Sequence, residues 1–391
     1  MLTSLIKRQN GGVSGVMLQN EKPGSPTAPV LVVIPCRNEE EHIARVIYRL
    51  LGEADRVNMK IVVADGGSTD QTLEIVGRLA AADSRIRLLD EPSIHSVALN
   101  NAVRIHGGEA YSLIRIDAHA DYPDGYCETL LRVQAATRAD SVVVTMHAEG
   151  KTCFQRAAAA AQNSILGNGG AVHRNETRGR WVDHGHHALM TLDAFRAIGG
   201  YDEAFTHNED AELDARLRAS GYRIFLTGEV RVTYFPRRSP PALFRQYFNQ
   251  GRGRAFNFLK HRQNAKLRHL VLVGIAPVVS LLIFAPFSPI LAVPFLFWCL
   301  LCLGYGMLLG LRLRDPCAAA AGIAAMATQA GWSFGFFAGL FRALRGTAVA
   351  GSSRNRSSSV SASRARPVAP PTHSEPNSCV ERSDGRYIDS L

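Results

Sequence analysis

The segment Val30–Asp65, VLVVIPCRNEEEHIARVIYRLLGEADRVNMKIVVAD, decides the fold class of this chain. Its two ends, Val30–Pro35 and Lys60–Asp65, are short apolar runs of the kind that form strands buried on both faces. Between them, Glu39–Leu51 repeats apolar residues at the spacing of a helix. A buried strand, a helix and a second buried strand predict a βαβ unit with parallel pairing.

The same alternation continues towards the middle of the chain. Ser68–Gln71 fits a capping box before a helix that runs to about Ala82. Further strands are predicted at Ile86–Asp90, Tyr111–Asp117 and Ser141–Met146, and a further helix at Ser96–His106. We therefore predict an α/β fold with a mostly parallel central sheet and helices on both faces. The Gly-rich motifs of dinucleotide oxidoreductases and P-loop enzymes do not occur, which disfavours both classes.

The charge distribution points to a membrane surface. The 391 residues carry a formal net charge of +10 at pH 7. Much of the basic excess lies in Arg237–Arg268, just before an apolar region, and in the Arg-rich segment Arg342–Arg366. Arginine and lysine beside apolar segments are typical of the cytoplasmic face of a membrane. This distribution argues against nucleic acid as a partner.

The cysteines predict no disulfide framework. The chain has 7 cysteines, an odd number, and they are scattered along the sequence. Cys299 and Cys302 have a Cys-x-x-Cys spacing, but they lie in an apolar run without a second pair, which favours packing over zinc or redox chemistry. This usage suits a reducing compartment. The N-terminus has no apolar stretch followed by a cleavage site, so we expect no signal peptide.

The apolar region begins at His269. His269–Leu311 has no charged side chain after His269 and is interrupted near Pro286–Pro289, which predicts two spanning helices joined by a turn. The basic residues on both sides, among them Arg312, place both ends in the cytoplasm. A third stretch, Ala318–Leu340, is weaker, and it either spans, re-enters or lies at the interface.

These patterns divide the chain into four parts. Residues 1–28 are expected to be a flexible lead-in, and residues 29–265 the α/β domain. Residues 268–341 form the membrane region, with two to three apolar helices, and residues 342–391 are a basic, Ser-rich tail predicted to be disordered.

Polar residues follow the predicted strands where open parallel sheets bind their ligands, beyond the carboxyl ends. Pro35, Arg37 and Glu39 end or follow the first strand, Asp65 ends the second, and Asp117 ends a later one. Asp65, beside two glycines, is placed to accept a hydrogen bond from a base or ribose, or else serves ordinary turn chemistry. We take these five residues as candidates for substrate binding.

Asp117 and His119 form an Asp-x-His pattern at a strand end. A carboxylate and an imidazole can hold a divalent ion, Mn²⁺ or Mg²⁺, that also grips a diphosphate. Such an ion neutralises the charge that develops on a leaving nucleoside diphosphate. The alternative is that His119 only forms a hydrogen bond within its loop.

The segment Gly200–Gly221, GYDEAFTHNEDAELDARLRASG, predicts a short amphipathic helix. Asn208 is the expected N-cap and Gly221 the stop, and Glu209 and Asp210 fall on the first turn. Carboxylates there face the positive end of the helix dipole, which keeps them ionised as a general base requires. The alternative is that this acidic pair only stabilises the helix.

These motifs, in this order, resemble the family-2 glycosyltransferases with their GT-A nucleotide-sugar fold, over about Val30–Lys260. IPCRNEE is similar to the first-strand signature of that family, and ADGGSTDQT to its nucleoside-binding loop. IDAHADYP corresponds to its metal motif, in which His119 replaces the usual second acid. GGYDEAFTHNEDAEL resembles the acceptor-base region, which implies that Asp210 takes the proton.

The residues of the last two motifs, together with the C-terminal membrane helices, most resemble those of the glucosyltransferases of succinoglycan-type exopolysaccharide assembly. This resemblance implies an inverting transfer of one hexose, expected to be glucose, from a UDP-sugar to a polyprenyl-diphosphate-linked saccharide. It implies a bacterial inner (cytoplasmic) membrane location with the catalytic domain facing the cytoplasm, beside other assembly proteins. Two alternatives are a polyprenyl-phosphate sugar synthase and a non-catalytic nucleotide-sugar-binding subunit of a membrane assembly.

Processive synthases of the family carry Gln-x-x-Arg-Trp after the base. Gln246–Arg254 lacks the tryptophan, which favours transfer of a single sugar. Arg252 and Arg254 either grip the diphosphate or form a patch on the membrane surface. His186 and His187 are expected to line the donor or acceptor cleft, and Glu209 is included among the substrate-binding candidates.

Overall fold

The computed structural model describes residues 29–168, 179–262 and 267–354. Residues 1–28 and 355–391, which the sequence predicts to be a flexible lead-in and part of a disordered tail, lie outside the described residues.

A single sheet forms the centre of the α/β domain. Within the described ranges it contains eight strands: β1 Val30–Cys36, β2 Met59–Asp65, β3 Ile86–Asp90, β4 Ser112–Arg115, β5 Ser141–Ala148, β6 Arg180–Val182, β7 His186–Thr191 and β8 Ile224–Tyr234. Their order is β3-β2-β1-β4-β7-β5-β8-β6. Strand β7 is antiparallel to β4 and β5, and β6 is antiparallel to β8, while the remaining pairs are parallel. The prediction of a mostly parallel sheet is therefore confirmed.

The helices of the described chain are α1 Ile43–Leu51, α2 Thr72–Ala82, α3 His95–His106, α4 Tyr126–Thr137, α5 Cys153–Gln162, α6 Ile165–Asn168, α7 Leu192–Ala197, α8 Glu209–Ala219, α9 Pro240–His261, α10 Leu267–Val273, α11 Ile275–Ser280, α12 Val293–Leu313 and α13 Ala321–Arg354. Short 3-10 turns occur at Leu281–Phe284, Pro289–Ala292 and Ala318–Ala320.

Two apolar layers cover the sheet because successive strand residues point to opposite faces. On β1, Val32 and Ile34 pack with α1, α2 and α4, whereas Leu31 and Val33 pack with α3, α7 and α8. Burial of each such side chain contributes about 1.5–3 kcal/mol. Leu213 and Leu217, the predicted apolar face of α8, are fully buried in the second layer, which brings the start of α8 to the carboxyl ends of the strands.

The capping interactions of two helices differ from the sequence prediction. Helix α2 begins at Thr72 rather than after Ser68, and Asp70 Oδ1 accepts from the Thr72 amide at 3.0 Å. The predicted capping box is wrong because the Gln71 amide donates to Glu40 Oε2 at 2.9 Å rather than to Ser68 Oγ. Asn208 is at the N-cap of α8, as predicted, but its side chain makes no capping bond and donates to Gln250 O at 3.0 Å.

Helix α9 connects the site to the C-terminal helices through close glycine contacts. A Cβ at Gly335 of α13 would lie 1.9 Å from Phe248 O of α9, and one at Gly251 would lie 2.0 Å from Trp332 O. On the same helix, a Cβ at Gly253 would lie 2.3 Å from His207 O. Helix α9 is therefore packed against α13 and against the loop that leads into α8.

One helix of the described chain, Pro289–Leu313, is long and apolar enough to cross a membrane by length and composition. The sequence predicts two such helices, but the first, His269–Phe284, is shorter than the roughly 20 residues needed for a span. It is divided into α10, α11 and a 3-10 turn, and Gly274 separates the first two.

The structure pairs two cysteines that no pattern in the sequence predicts to pair. Cys153 and Cys317, 164 residues apart, form a disulfide, and Arg156 and Asp315 form an ion pair at 2.7 Å beside it. The expectation of a chain without disulfides is therefore wrong, since spacing along the sequence does not show which cysteines the fold brings together. Cys299 and Cys302 are free, as expected.

Candidate active site

One arginine joins the two carboxylates that the sequence singles out. Arg115 Nη1 donates to Asp210 Oδ1 at 2.6 Å, and Arg115 Nε donates to Asp117 Oδ1 at 3.3 Å. Arg115 ends β4, Asp117 follows it, and Asp210 lies on the first turn of α8. Asp117 and Asp210, which the sequence singles out in separate motifs, therefore lie together at one edge of the sheet.

Sequence reasoning missed Arg115, although its signal is present. An arginine at the end of an otherwise apolar strand needs a charged partner, because an unpaired buried charge is costly. The Arg115 side chain is only 9% exposed. Burial alone would lower its pKa, but Asp210 and Asp117 raise the pKa well above its ordinary value, so the guanidinium remains charged.

The charge of Arg115 also lowers the pKa values of its two partners, Asp117 and Asp210. Burial acts to raise the pKa of both Asp117 and Asp210, but Arg115 overrides it, and both pKa values are held well below the ordinary value. Glu209 behaves differently, because burial and the neighbouring Asp210 raise its pKa to about 7. Near neutral pH, Asp210 is therefore the fully ionised member of the acidic pair.

The two predicted histidines, His186 and His187, contact different carboxylates at this site. His186 Nε2 lies 3.5 Å from Asp117 Oδ2, and burial lowers its pKa. His187 is 3% exposed, and its Nε2 lies 2.7 Å from Asp214 Oδ1. Burial acts to lower the pKa of His187, but Asp214 and Asp210 raise it above the ordinary value.

Asp214 and Tyr201 are further residues that sequence reasoning missed. Tyr201 OH donates to Asp210 Oδ1 at 3.3 Å and lies 3.1 Å from His187 Nδ1. Asp214 is one helical turn after Asp210, so the i,i+4 spacing places both on one face of α8 and was a usable signal. His184 Nδ1 lies 2.6 Å from the second Asp214 oxygen.

The His187–Asp214 pair yields a pH-dependent stability prediction for Asp214→Asn. The pKa of Asp214 is lowered, so its contribution is present above the unfolded value of about 3.9 and is lost as pH falls through the folded value. The pKa of His187 is raised, so its contribution is present below about 6.5 and is lost as pH rises through the folded value. We expect the variant to lose about 3 kcal/mol of unfolding free energy near pH 6.

Urea unfolding at pH 6 and pH 9 measures this effect. The loss should be smaller at the higher pH, because the contribution of His187 is lost as pH rises through its raised folded pKa. Asp193→Asn, in the exposed first turn of α7, is the matched control and should change stability little at either pH. An equal loss for Asp214→Asn at both pH values would contradict the assigned ionic pair.

A cavity of about 700 Å³ opens at His119, two residues after Asp117, and neither Asp117 nor Asp210 is among the described residues that line it. Arg37, Glu39 and His119 line it, as the sequence predicts for the residues after β1 and β4. His119 Nδ1 lies 3.1 Å from Glu39 Oε1, and this contact, opposed by burial, raises the pKa of His119. The cavity has further basic lining residues that sequence reasoning missed: Arg45, Lys151, Arg237 and Arg238.

Asp65 holds the loop that follows β2. It is 1% exposed and accepts from the amides of Gly67 and Ser68, each at 2.8 Å. Gly67 has a φ of +85°, a left-handed conformation that favours glycine. Pro35 is in register with Ala64, and Asn38 Oδ1 accepts from the Thr69 amide at 2.8 Å. The loops after β1 and β2 are thus joined at the cavity edge.

Arg252 and Arg254 lie on α9. Arg254 Nη2 is 3.3 Å from His269 Nε2, at the start of the apolar region. Arg252 lies close enough to His207 that its charge, together with burial, lowers the pKa of that histidine. Neither arginine is among the described residues that line the cavity. For Arg254, the contact with His269 favours the interpretation as part of a patch on the membrane surface.

The described residues contain no group of three or more His, Cys, Asp or Glu side chains that can hold a metal ion. Asp117 and His119 nevertheless suit an ion that takes one or two protein ligands and completes its shell with substrate phosphates, as Mg²⁺ usually does. The short spacing of these two residues at the end of β4 therefore fits a metal that binds together with a diphosphate.

Comparisons with known proteins agree with this arrangement. The model of the family "Glycosyl transferase family 2" matches residues 31–199. The succinoglycan biosynthesis protein ExoA of Rhizobium meliloti (strain 1021) is 50% identical over 308 residues, which cover 78% of this chain and 93% of that protein. The uncharacterized protein y4gI of Sinorhizobium fredii (strain NBRC 101917 / NGR234) is 26% identical over 219 residues, covering 51% of this chain and 24% of that protein.

Among solved structures, the mannosyltransferase PcManGT from Pyrobaculum calidifontis, in complex with GDP-Man and Mn²⁺, superimposes with a TM-score of 0.52 and 19% identity. The match covers 80% of this chain and 89% of that one, and at this identity it shows the shared GT-A fold. The extensive identity to ExoA, the family match and this fold show that the chain belongs to glycosyl transferase family 2 and is a glycosyltransferase.

Proposed function

We propose that this enzyme acts in exopolysaccharide biosynthesis and moves a single hexose, glucose, from a UDP-sugar to a polyprenyl-diphosphate-linked saccharide with inversion at the anomeric carbon. The observation that carries the proposal is the Arg115 bridge, which holds Asp117 and Asp210 together at one edge of the sheet. The 50% identity to a succinoglycan biosynthesis protein supports the pathway class.

Asp210 acts as the general base in this proposal. Its carboxylate is ionised at neutral pH, so it can take the proton of the acceptor hydroxyl. The acceptor oxygen then forms a bond to the anomeric carbon, and the bond from that carbon to the diphosphate breaks with its electron pair leaving on UDP. One displacement at one carbon inverts its configuration.

The cavity supplies the binding site for the donor. Arg37, Lys151, Arg237 and Arg238 line it, and guanidinium and ammonium groups suit a diphosphate. Asp117 and His119 would hold a divalent ion, Mn²⁺ or Mg²⁺, which when bound supplies charge neutralisation at the leaving diphosphate. Asp65 supports the nucleoside end through the loop that it organises.

We place the enzyme at the bacterial inner membrane with its catalytic domain in the cytoplasm. The helical segment Pro289–Leu313 is long enough to span, and its large side chains lack protein cover: Phe297 and Leu300 are 60% and 69% exposed. Helix α9 links the C-terminal helices to the loop before α8. This arrangement would present Asp210 to a lipid-linked acceptor near the bilayer.

Incubation of purified membranes that contain the enzyme with labelled UDP-sugars and a lipid extract tests the proposal. We expect label from UDP-glucose to appear in a lipid-linked saccharide, with release of UDP. A product in which the sugar is joined directly to a lipid monophosphate would instead identify a polyprenyl-phosphate sugar synthase. Donor binding without release of UDP for any acceptor would identify a non-catalytic subunit.

A further inference from the structure

We propose that Arg115 is a positioning residue of the transfer reaction, which clamps Asp210 through Oδ1 and leaves Oδ2 as the oxygen that takes the acceptor proton. The inference rests on the proposed function, because it presumes that Asp210 is the base. It goes beyond that proposal by naming the oxygen that reacts and the side chain that aims it.

The contacts of Asp210 are concentrated on one oxygen. Arg115 Nη1 donates to Oδ1 at 2.6 Å, Tyr201 OH donates to the same oxygen at 3.3 Å, and His187 Nδ1 lies 3.9 Å from it. Among the residues that the structure describes, no hydrogen bond or ion pair is found for Oδ2. The Asp210 side chain is 18% exposed, so part of the carboxylate remains accessible to an acceptor.

The direction of Arg115 follows from the sheet. Side chains alternate along a strand, so Arg115 shares a face of β4 with Leu113, which belongs to the apolar layer formed with α3, α7 and α8. The start of α8 lies on that side, and it carries Asp210. Arg115 therefore reaches the base from the rigid interior of the sheet rather than from a loop.

The guanidinium has a geometry that lysine cannot reproduce. Its planar fork places two N–H groups on two different acceptors, Asp117 through Nε and Asp210 through Nη1. An ammonium group at this position would keep the positive charge, but its flexible stem would not hold the donors in the fixed plane of the guanidinium, so neither carboxylate would be kept in its present orientation. A substitution by lysine thus separates the charge of Arg115 from its clamping geometry.

The proton and the electrons balance without any other reactant. The acceptor O–H bond breaks and its proton binds Asp210 Oδ2, while the oxygen forms the new bond to the anomeric carbon. The bond to the diphosphate breaks and its electron pair leaves with UDP. Arg115 stays charged throughout and keeps its hydrogen bond to Oδ1.

Steady-state kinetics of Arg115→Lys, measured in membranes with labelled UDP-sugar, test the inference. We expect kcat to fall about 100-fold while KM for the donor changes by less than about 3-fold, because misplacement of a reacting group by about 1 Å costs a factor of this size. A merely structural role would instead reduce the amount of folded enzyme and leave kcat per folded molecule unchanged.

Arg216→Lys is the matched control. Arg216 is also a partly buried arginine with a carboxylate partner on α8, Glu212, at 2.6 Å, and it is not in contact with Asp117 or Asp210. We expect its kcat to stay within about 2-fold of the parent, inside the usual spread of such measurements. Tyr201→Phe removes the second donor to Oδ1 together with the 3.1 Å contact of the hydroxyl with His187 Nδ1. It provides a second test if Arg115→Lys does not fold, and we expect its kcat to fall about 10-fold at unchanged KM.

The inference is overturned if Arg115→Lys and Tyr201→Phe both keep the kcat of the Arg216→Lys control, or if only KM changes. The outcome for the proposed function is separate. Failure of the parent enzyme to transfer sugar from any UDP-sugar would refute that function, whereas an active parent with unaffected variants would refute only the role of Arg115.

Discussion

Asp210→Asn is expected to abolish sugar transfer while leaving the affinity for UDP nearly unchanged. Asparagine keeps the size of the side chain, and its carbonyl can still accept the hydrogen bond from Arg115 that the structure shows at 2.6 Å. It cannot take up a proton at neutral pH, and general-base catalysis typically contributes a factor of about 10² to 10⁴. Labelled sugar in the lipid-linked product measures transfer, and calorimetric titration measures UDP binding.

Two variants serve as comparisons for this prediction. Asp193→Asn, also an acidic residue in the first turn of a helix, lies on the exposed start of α7 and should transfer at the parent rate. Glu209→Gln should be milder than Asp210→Asn, because the raised pKa of Glu209, about 7, leaves it partly protonated in the parent at neutral pH. Transfer by Asp210→Asn above a few per cent of the parent rate would show that the base assignment is wrong.

The same experiment separates the proposed function from the polyprenyl-phosphate sugar synthase. The acceptor of such a synthase is a phosphate that is already anionic, so its attack needs little help from a base. An Asp210→Asn enzyme that is still active with a lipid monophosphate and inactive with a hydroxyl acceptor would favour that alternative.

Asp117→Ala is expected to remove the stimulation of UDP binding by Mn²⁺. Asp117 follows the end of β4 and is ionised at neutral pH, and in the proposed function it holds the divalent ion. Loss of a metal ligand or its support usually costs a factor of about 10 to 100 in affinity, or more. Titration of UDP binding at increasing Mn²⁺ concentration measures the effect without any need for transfer activity.

Asp124→Ala is the matched control, since Asp124 lies shortly after Asp117 and pairs with Arg49 at the surface. His119→Ala distinguishes the two interpretations of that histidine. A weaker response to Mn²⁺ would support a ligand role, and an unchanged response would indicate that His119 only contacts Glu39, as its 3.1 Å distance also allows. An Mn²⁺ titration of Asp117→Ala identical to that of the parent would refute the metal assignment.

Local sequence patterns predicted the bounds of strands and helices well where a single local interaction determines them. The strand Ile86–Asp90 has the predicted bounds, and α3 begins one residue before the predicted Ser96. The Ser68 capping box failed because Glu40, a residue outside the motif, accepts the hydrogen bond of the Gln71 amide. A cap is a local motif only when no residue outside it competes for the same donor.

The strand order depended on contacts between distant segments. No sequence signal showed that β7 inserts antiparallel between β4 and β5, and this insertion brings His186 and His187 to Asp117 and Asp210. The same limit applies to the disulfide between Cys153 and Cys317, which are 164 residues apart. Distance along the chain carries no information on such pairings, because the sheet order decides them.

The sequence alone determined the alternation of buried strands and amphipathic helices, the acidic residues at the strand and helix ends, and the long apolar helix near the C-terminus. Each of these depends on side chains within a few residues of one another, where periodicity and helix-end chemistry act. Only the tertiary structure decided that Arg115 joins Asp117 to Asp210, that Asp214 holds His187, and which basic side chains line the cavity. Those contacts depend on burial and charge pairing between segments far apart, and both exist only once the sheet has formed.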